Sequence, residues 1–356
     1  MFIGDKELGK GRTFIIAEVA HAHEGDVSKM KLLIKAAGES GADAIKFQKV
    51  VADELVVEND PRHANFKKME FSETQWKEFF DYARSLGLIV LGEPFDESSA
   101  DFFEALGVAG YKIHSTDLSN PSMLEKIAKK GTPILLATGG TTLDEIGNAI
   151  KIIKKHHGKI ANSDELNKIS IAKSSNEDLD IILVHGYQNF PTRVDDSHLA
   201  MIRFYKEEFG LIVGYHDHVD ADSAIALILP VMAIGAGAVL IDKHITYDRS
   251  KKGIDHESSL NPDEFKQMVL LIRECEKSIG NIRKEMSDDE IGYRRKFKKN
   301  IVVRTSIRKG QIIKTNNIAF KRSEPGLSPM DAIKIVGNRA KRDMEKDHVI
   351  RLEDCE

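Results

Sequence analysis

The sequence predicts a (β/α)8 TIM barrel followed by a small β-rich module. Three observations carry this: eight short apolar runs rich in β-branched residues, amphipathic stretches of helical period between them, and a change of pattern beyond Phe297. The 356 residues exceed one ordinary domain, and a barrel accounts for roughly 250 of them.

The strand candidates are, in order, "TFIIAEV", "AIKFQ", "LIVLG", "GYKIH", "PILLAT", "IILVHG", "LIVGYH" and "AVLIDKH". Each is too short for a stable helix and is followed by a turn. Between them lie "SKMKLLIKAAGESG", "SETQWKEFFDYARSLG" and "SADFFEALG", with "PDEFKQMVLLIRECEKSIG" after the last, several closed by a glycine suited to a helix C-cap. The apolar stretch from Ala224 contains Pro230 and ends in Asp242, Lys243 and His244, so it reads as a core helix and then a strand rather than a membrane span. The polar segment His157 to Asp180 reads as a solvated insertion between the fifth helix and the sixth strand. The barrel is placed at residues 1–285, a basic linker at 286–297 and the small module at 298–356, where "IVVRTSI", "IIKTNNIAFKR" and "HVIRL" are strands and "SPMDAIKIVG" is a helix signal.

Composition narrows the function. Apolar residues make up 41% and charged residues 30%, as in a soluble globular chain with a sizeable core. A formal net charge of −4 and the lack of a long basic face argue against nucleic acid as partner. Cys275 and Cys355 are far apart and in no metal or redox spacing, which fits a reducing cytoplasm.

Catalytic groups in such barrels stand at the C-terminal ends of the strands. Here those ends carry Glu18, with His21 and His23 behind it, then Lys46 and Gln48, Glu93, and Lys112 with His114, Ser115 and Asp117. The later strands supply Thr138, His185 and Gln188, then His216, Asp217 and His218, and finally Asp242, Lys243 and His244. Imidazoles on adjacent strands with nearby carboxylates and no thiolates suit a divalent ion. Lysines inside a barrel mouth suit an anionic substrate, whose charge compensates theirs. "ATGGTT", from Ala137, opens a helix and offers a weak signal for an anion cradle.

Taken in order, these motifs resemble the sialic acid (N-acetylneuraminate) synthase family. "IAEVAHAHEGD", "GADAIKFQ", "EPFDESSADFFEALGVAGYKIHSTDLSN", "GYHDHV" and "DKHITYDRSKKGIDHESSLNPDEF" each match a family motif, and the tail from Ile301 resembles its C-terminal SAF (antifreeze-like) module. The resemblance implies a metal-dependent, cytoplasmic synthase that condenses phosphoenolpyruvate with an N-acylated amino sugar or related aldose to give a nonulosonic (2-keto-3-deoxy) acid. It implies His218 and His244 as metal ligands, with Mn²⁺ first and Mg²⁺, Co²⁺ or Zn²⁺ as alternatives. It also implies Glu18, Asp117 and Asp255 as catalytic carboxylates, and Lys46, Lys112, Ser115, Gln188 and Arg322 as substrate contacts. Arg322 comes from the SAF module of a homodimer in which that module caps the partner's barrel.

The sequence departs from the family pattern at several positions, some of which the resemblance places where the family holds phosphoenolpyruvate. Glu93 stands where the family has threonine, Ala137 and His216 where it has serine, Asp117 where it has glutamate, Ala22 where it has asparagine and Phe190 where it has tyrosine. Glu93 and His216 are therefore candidates for additional metal ligands. The same departures keep a second reading open, a diverged metal-dependent aldolase or lyase acting on a phosphate-free carbonyl substrate.

Overall fold

The computed structural model describes residues 1–157, 180–280 and 284–356. The chain divides into one unit over Met1–Gly280 and another over Asn281–Glu356. In the first unit eight strands, Phe14–Glu18, Ala44–Lys49, Ile89–Pro94, Tyr111–Ile113, Ile134–Ala137, Ile181–His185, Ile212–Asp217 and Leu240–His244, close into a parallel barrel with the last paired to the first. These are the eight apolar runs of the sequence, with ends displaced by one or two residues.

Side chains alternate across each strand. Phe14, Ile16, Ala44, Leu91, Leu135, Ile182, Val184 and Leu240 form the apolar floor inside the barrel, joined by Ile3 and Leu8 from the N-terminal hairpin segment. Their neighbours Ile15, Ala17, Ile45, Phe47, Val90, Leu136, Leu183, Val213 and Ile241 face the helices in a larger outer core. Gly92 is required by this packing, because a Cβ there would lie 2.6 Å from the Phe103 ring.

Local chemistry sets the helix ends. The Asp26 carboxylate accepts from the amides of Ser28 and Lys29 to start Val27–Ser40, and Gly41, at φ 81°, ends it. Thr142 and Glu145 form a capping box on Leu143–His156, so the amide of Thr142 in the "ATGGTT" turn is already bonded to a carboxylate at 2.7 Å. The run from Ala224 is the helix Ile225–Gly235, with Pro230 inside it, followed by the eighth strand. Among the described residues no helix is long and apolar enough to cross a membrane. The insertion read at His157 to Asp180 lies, apart from its two end residues, outside the described residues.

The second unit has an antiparallel pair, Lys299–Val303 with Ile318–Arg322, and single bridges such as Ile307 to Met344 and Ala340 to Cys355. Ile301, Val303, Ile313, Ile335 and Ile350 are among its core residues. The stretch read as a linker contains the helix Asp288–Phe297, capped by Ser287. The helix signal near Met330 is a 3-10 turn, Pro329–Lys334.

Candidate active site

The period-two alternation that builds the floor also sorts the charged rim. Continuing the inward series upward gives Glu18, Lys46, Glu93, Lys112, His216, Asp242 and His244, all buried. Asp217 and Lys243 continue the outward series instead. They pair with each other at 2.8 Å, and Asp217 accepts from the Tyr215 hydroxyl at 3.2 Å, behind the barrel wall. His185 also faces outward and bonds the Ser197 carbonyl at 2.9 Å, and His23 accepts from the Gly25 amide at 3.0 Å. These four rim residues of the sequence are structural.

At the centre of the inward layer two ammonium groups meet three carboxylates. Lys46 Nζ contacts Glu18 Oε2, lies 2.6 Å from Asp242 Oδ2 and 3.0 Å from Glu93 Oε2. Lys112 Nζ lies 2.8 Å from the same Asp242 oxygen, 3.8 Å from Glu18 and 4.0 Å from Glu93. Gln48 donates to Glu93 Oε2 at 3.2 Å. Burial alone would disfavour every one of these charges, but the two lysines hold Glu93 well below the carboxylate range and hold Asp242 low. Glu18 is the exception: burial, reinforced by Glu93 and Asp242 against the pull of Lys46, raises it to about 8. The layer is thereby close to neutral, with one carboxyl keeping its proton at neutral pH.

Beside this layer stand three imidazoles. His216, His218 and His244 each offer a ring nitrogen within 4.8 Å of the others, and Nε2 of His216 and Nε2 of His218 are 3.0 Å apart. Burial keeps all three rings neutral, lowering His218 to about 3, and neutral imidazole is the ligating form. Nδ1 of His218 lies 2.7 Å from the Tyr187 carbonyl, so it carries the proton and leaves Nε2 a free lone pair. His216 differs, because its Nδ1 lies 2.9 Å from Lys112 Nζ and accepts from it, which puts its ring proton on Nε2. Asp242 Oδ1 and Glu93 Oε1 are buried without a hydrogen-bond partner. The donor set therefore fits a divalent cation.

The remaining predicted residues stand on several different elements. Glu93 is drawn to the lysines and belongs to neither group of side chains that, among the described residues, could hold an ion, the three histidines or Glu18 with His216 and Asp242. Ser115 and Asp117 lie in a 3-10 turn after the fourth strand, where Asp117 accepts from Asn120 at 2.9 Å. Gln188 packs over Gly139, where a Cβ would lie 2.5 Å from its Cγ. Asp255 has φ 60°, and its carboxyl is raised to about 6 by burial and Glu257, against a hydrogen bond from the His21 amide. Arg322 ends the second strand of the C-terminal unit, its guanidinium 5.2 Å from the centre of the Phe297 ring.

Two residues that the sequence placed on the rim were given no role there. Asp242 bridges both lysines, and alternation along "LIDKH", which puts it on the same face as His244, was the available signal. His21 has a buried Nε2 without a hydrogen-bond partner and is lowered to about 4, by burial first, with Glu93 opposing and His114 adding to the shift. Nothing in the local sequence distinguishes it from His23.

Residues 33–284 match the model of the NeuB family, and residues 299–356 match the SAF domain. The chain is 34% identical to an uncharacterized protein of Methanocaldococcus jannaschii, over 99% of this chain and 97% of that one. It is 34% identical to the N,N'-diacetyllegionaminic acid synthase of Legionella pneumophila, over 94% and 93% of the two chains. Among solved structures, the N-acetylneuraminic acid synthetase of Leptospira borgpetersenii, in complex with citrate, superposes with a TM-score of 0.71 at 28% identity, covering 83% of this chain and 95% of that one.

Proposed function

The chain belongs to the NeuB family, and from that premise we propose that it condenses phosphoenolpyruvate with an N-acylated amino sugar or related aldose to give a nonulosonic acid. It is an enzyme, a carbon–carbon bond-forming sugar-acid synthase. The observation that carries the substrate reading is the buried layer of Lys46 and Lys112 directly beside three neutral imidazoles. It offers cationic groups for an anionic donor and a cation site for an aldehyde.

His218 and His244 would hold the ion, Mn²⁺ in this reading, since both offer neutral imidazoles to one point and the Tyr187 carbonyl engages Nδ1 of His218, which turns its Nε2 toward that point. When bound, a divalent ion supplies Lewis acidity to the acceptor's carbonyl oxygen. The side chains do the rest. Lys46 and Lys112 orient the donor so that carbon 3 of the enol faces the aldehyde carbon, and a carbon–carbon bond forms there. Glu18, protonated at neutral pH, gives its proton to the oxygen that was the aldehyde carbonyl. Water then adds at carbon 2, returning one proton to the Glu18 carboxylate, and the bond from carbon 2 to the phosphate oxygen breaks as the new hydroxyl becomes the ketone, its proton leaving with phosphate. Asp117, Asp255, Ser115 and Gln188 line the acceptor side in this reading. Arg322 reaches a sugar from the partner subunit of a homodimer, with the barrel over 1–285 and the SAF module over 298–356.

The test is phosphate release from phosphoenolpyruvate with a panel of N-acylated amino sugars, with product mass read in parallel. Phosphate and an acid of the summed mass, in equal amounts, are expected with at least one sugar. One observation favours the second reading, a phosphate-free aldolase or lyase: Glu93 already occupies Lys46. No phosphate with any sugar, together with metal-dependent pyruvate formation from a keto acid, would establish that alternative.

A further inference from the structure

The two lysines that orient the donor in this reading are already paired with the barrel's own carboxyl groups. Lys46 is within 3.0 Å of Glu93 and of Asp242 and in contact with Glu18, and Lys112 is 2.8 Å from Asp242. Two positive charges face three carboxyl groups, all buried. With Glu18 protonated the layer is neutral, and with Glu18 ionised it carries one negative charge. In neither state does it present surplus positive charge to a donor bearing a carboxylate and a phosphate. An uncompensated anion in a low-dielectric cavity is strongly disfavoured.

Glu93 is the residue that removes the surplus. Without it, Lys46 and Lys112 would face Glu18 and Asp242 alone, and a protonated Glu18 would leave one positive charge over. The imidazole cluster adjoins this layer through His216, whose Nδ1 is 2.9 Å from Lys112 and whose Nε2 is 4.0 Å from Asp242. A cation bound there would act on the donor seat across very short distances.

We propose that Glu93 is a specificity-determining residue that makes donor binding conditional on the divalent cation: the barrel's own charges are balanced by Glu93, and the ion provides the positive charge that admits the anionic donor. The inference rests on the synthase reading above. Linkage requires the effect to be reciprocal, so the donor tightens the cation by the same factor.

The experiment is calorimetric titration of phosphoenolpyruvate, with no sugar present, into full-length protein stripped by chelator and into the same protein loaded with Mn²⁺. Wild type is expected to bind at least about 100-fold more tightly when loaded, at the upper end of ordinary coupling between sites. Glu93→Gln is expected to narrow that ratio to about 10-fold or less, by strengthening metal-free binding. Direct contact between ion and donor would produce coupling as well, but it would leave the ratio in Glu93→Gln as large as in wild type, and that result overturns the proposal. Equal affinity in stripped and loaded wild type also overturns it, needs no variant, and leaves the synthase reading standing. Absence of binding in every state overturns both. Should Glu93→Gln fail to fold, Glu93→Thr, a smaller uncharged side chain, serves in its place.

Discussion

Nζ of Lys112 lies 2.9 Å from Nδ1 of His216. An ammonium cannot accept, so the imidazole does, and its proton is on Nε2, facing Nε2 of His218 at 3.0 Å. His216 thus connects the charged layer to the imidazole cluster while its inward nitrogen is closed to a metal.

The metal predictions follow from that asymmetry. His218→Ala and His244→Ala should each lose at least about 100-fold in Mn²⁺ affinity, more than an outer-shell change produces, while keeping the wild-type circular dichroism spectrum. His216→Ser should stay within about 10-fold of wild type. Chelator competition measures all three. A loss for His216→Ser as large as for the other two would make it a third ligand.

Lys46 and Lys112 should differ in structural weight. Lys46 is within 3.0 Å of three carboxylates and Lys112 of one. Lys46→Met therefore leaves Asp242 with Lys112 alone and Glu18 and Glu93 with no cation nearer than 3.8 Å, and should destabilise by about 3–5 kcal/mol, whereas Lys112→Met leaves all three carboxyl groups in contact with Lys46 and should cost less. Urea denaturation of both variants decides this, and equal losses would contradict the assigned geometry.

The metal-free protein should lose stability on acidification. His21, His23 and His218 are lowered to about 4, 3 and 3, chiefly by burial, so each binds a proton in the unfolded chain at pH 5.5 but not in the folded one. Their contribution is present above about 6.5 and is lost as pH falls towards those values. Glu18 has the opposite sign: raised to about 8, it favours folding below its unfolded value and loses that contribution as pH rises through 8. The histidines outnumber it, so unfolding at pH 5.5 should take up protons on balance. Calorimetry in two buffers of different ionisation enthalpy reads the sign, and net release would refute these assignments.

The barrel was legible because its signal repeats eight times and each strand's apolar run is self-contained. The lysines and the histidines were legible because charged residues at strand ends are conspicuous. What the sequence concealed is which face of the wall each residue serves. Asp217 and Lys243 flank His216, His218 and His244 in the chain, yet one step of alternation sends them behind the barrel to pair with each other. Glu93 was visible as a departure, but its partner Lys46 lies on another strand, and only the parallel register of those strands shows that the carboxylate answers a lysine.

Assembly gives the last prediction. The proposed homodimer requires Arg322 to act on the partner's barrel, and the C-terminal unit presents that arginine exposed at the end of a strand, over the Phe297 ring, so its fork of donors is oriented but not enclosed. Arg322→Ala and His244→Ala chains should each be inactive as homodimers, one lacking the capping guanidinium and the other the ion. In a mixed dimer one site combines the intact barrel of the Arg322→Ala chain with the arginine of the His244→Ala chain, while the other site lacks both. Random exchange makes about half the dimers mixed, each with one of two sites intact, so mixing should restore about a quarter of wild-type activity. Light scattering establishes the dimer and labelled subunits verify exchange. A monomer, or no recovery after verified exchange, would show that the arginine does not act across subunits.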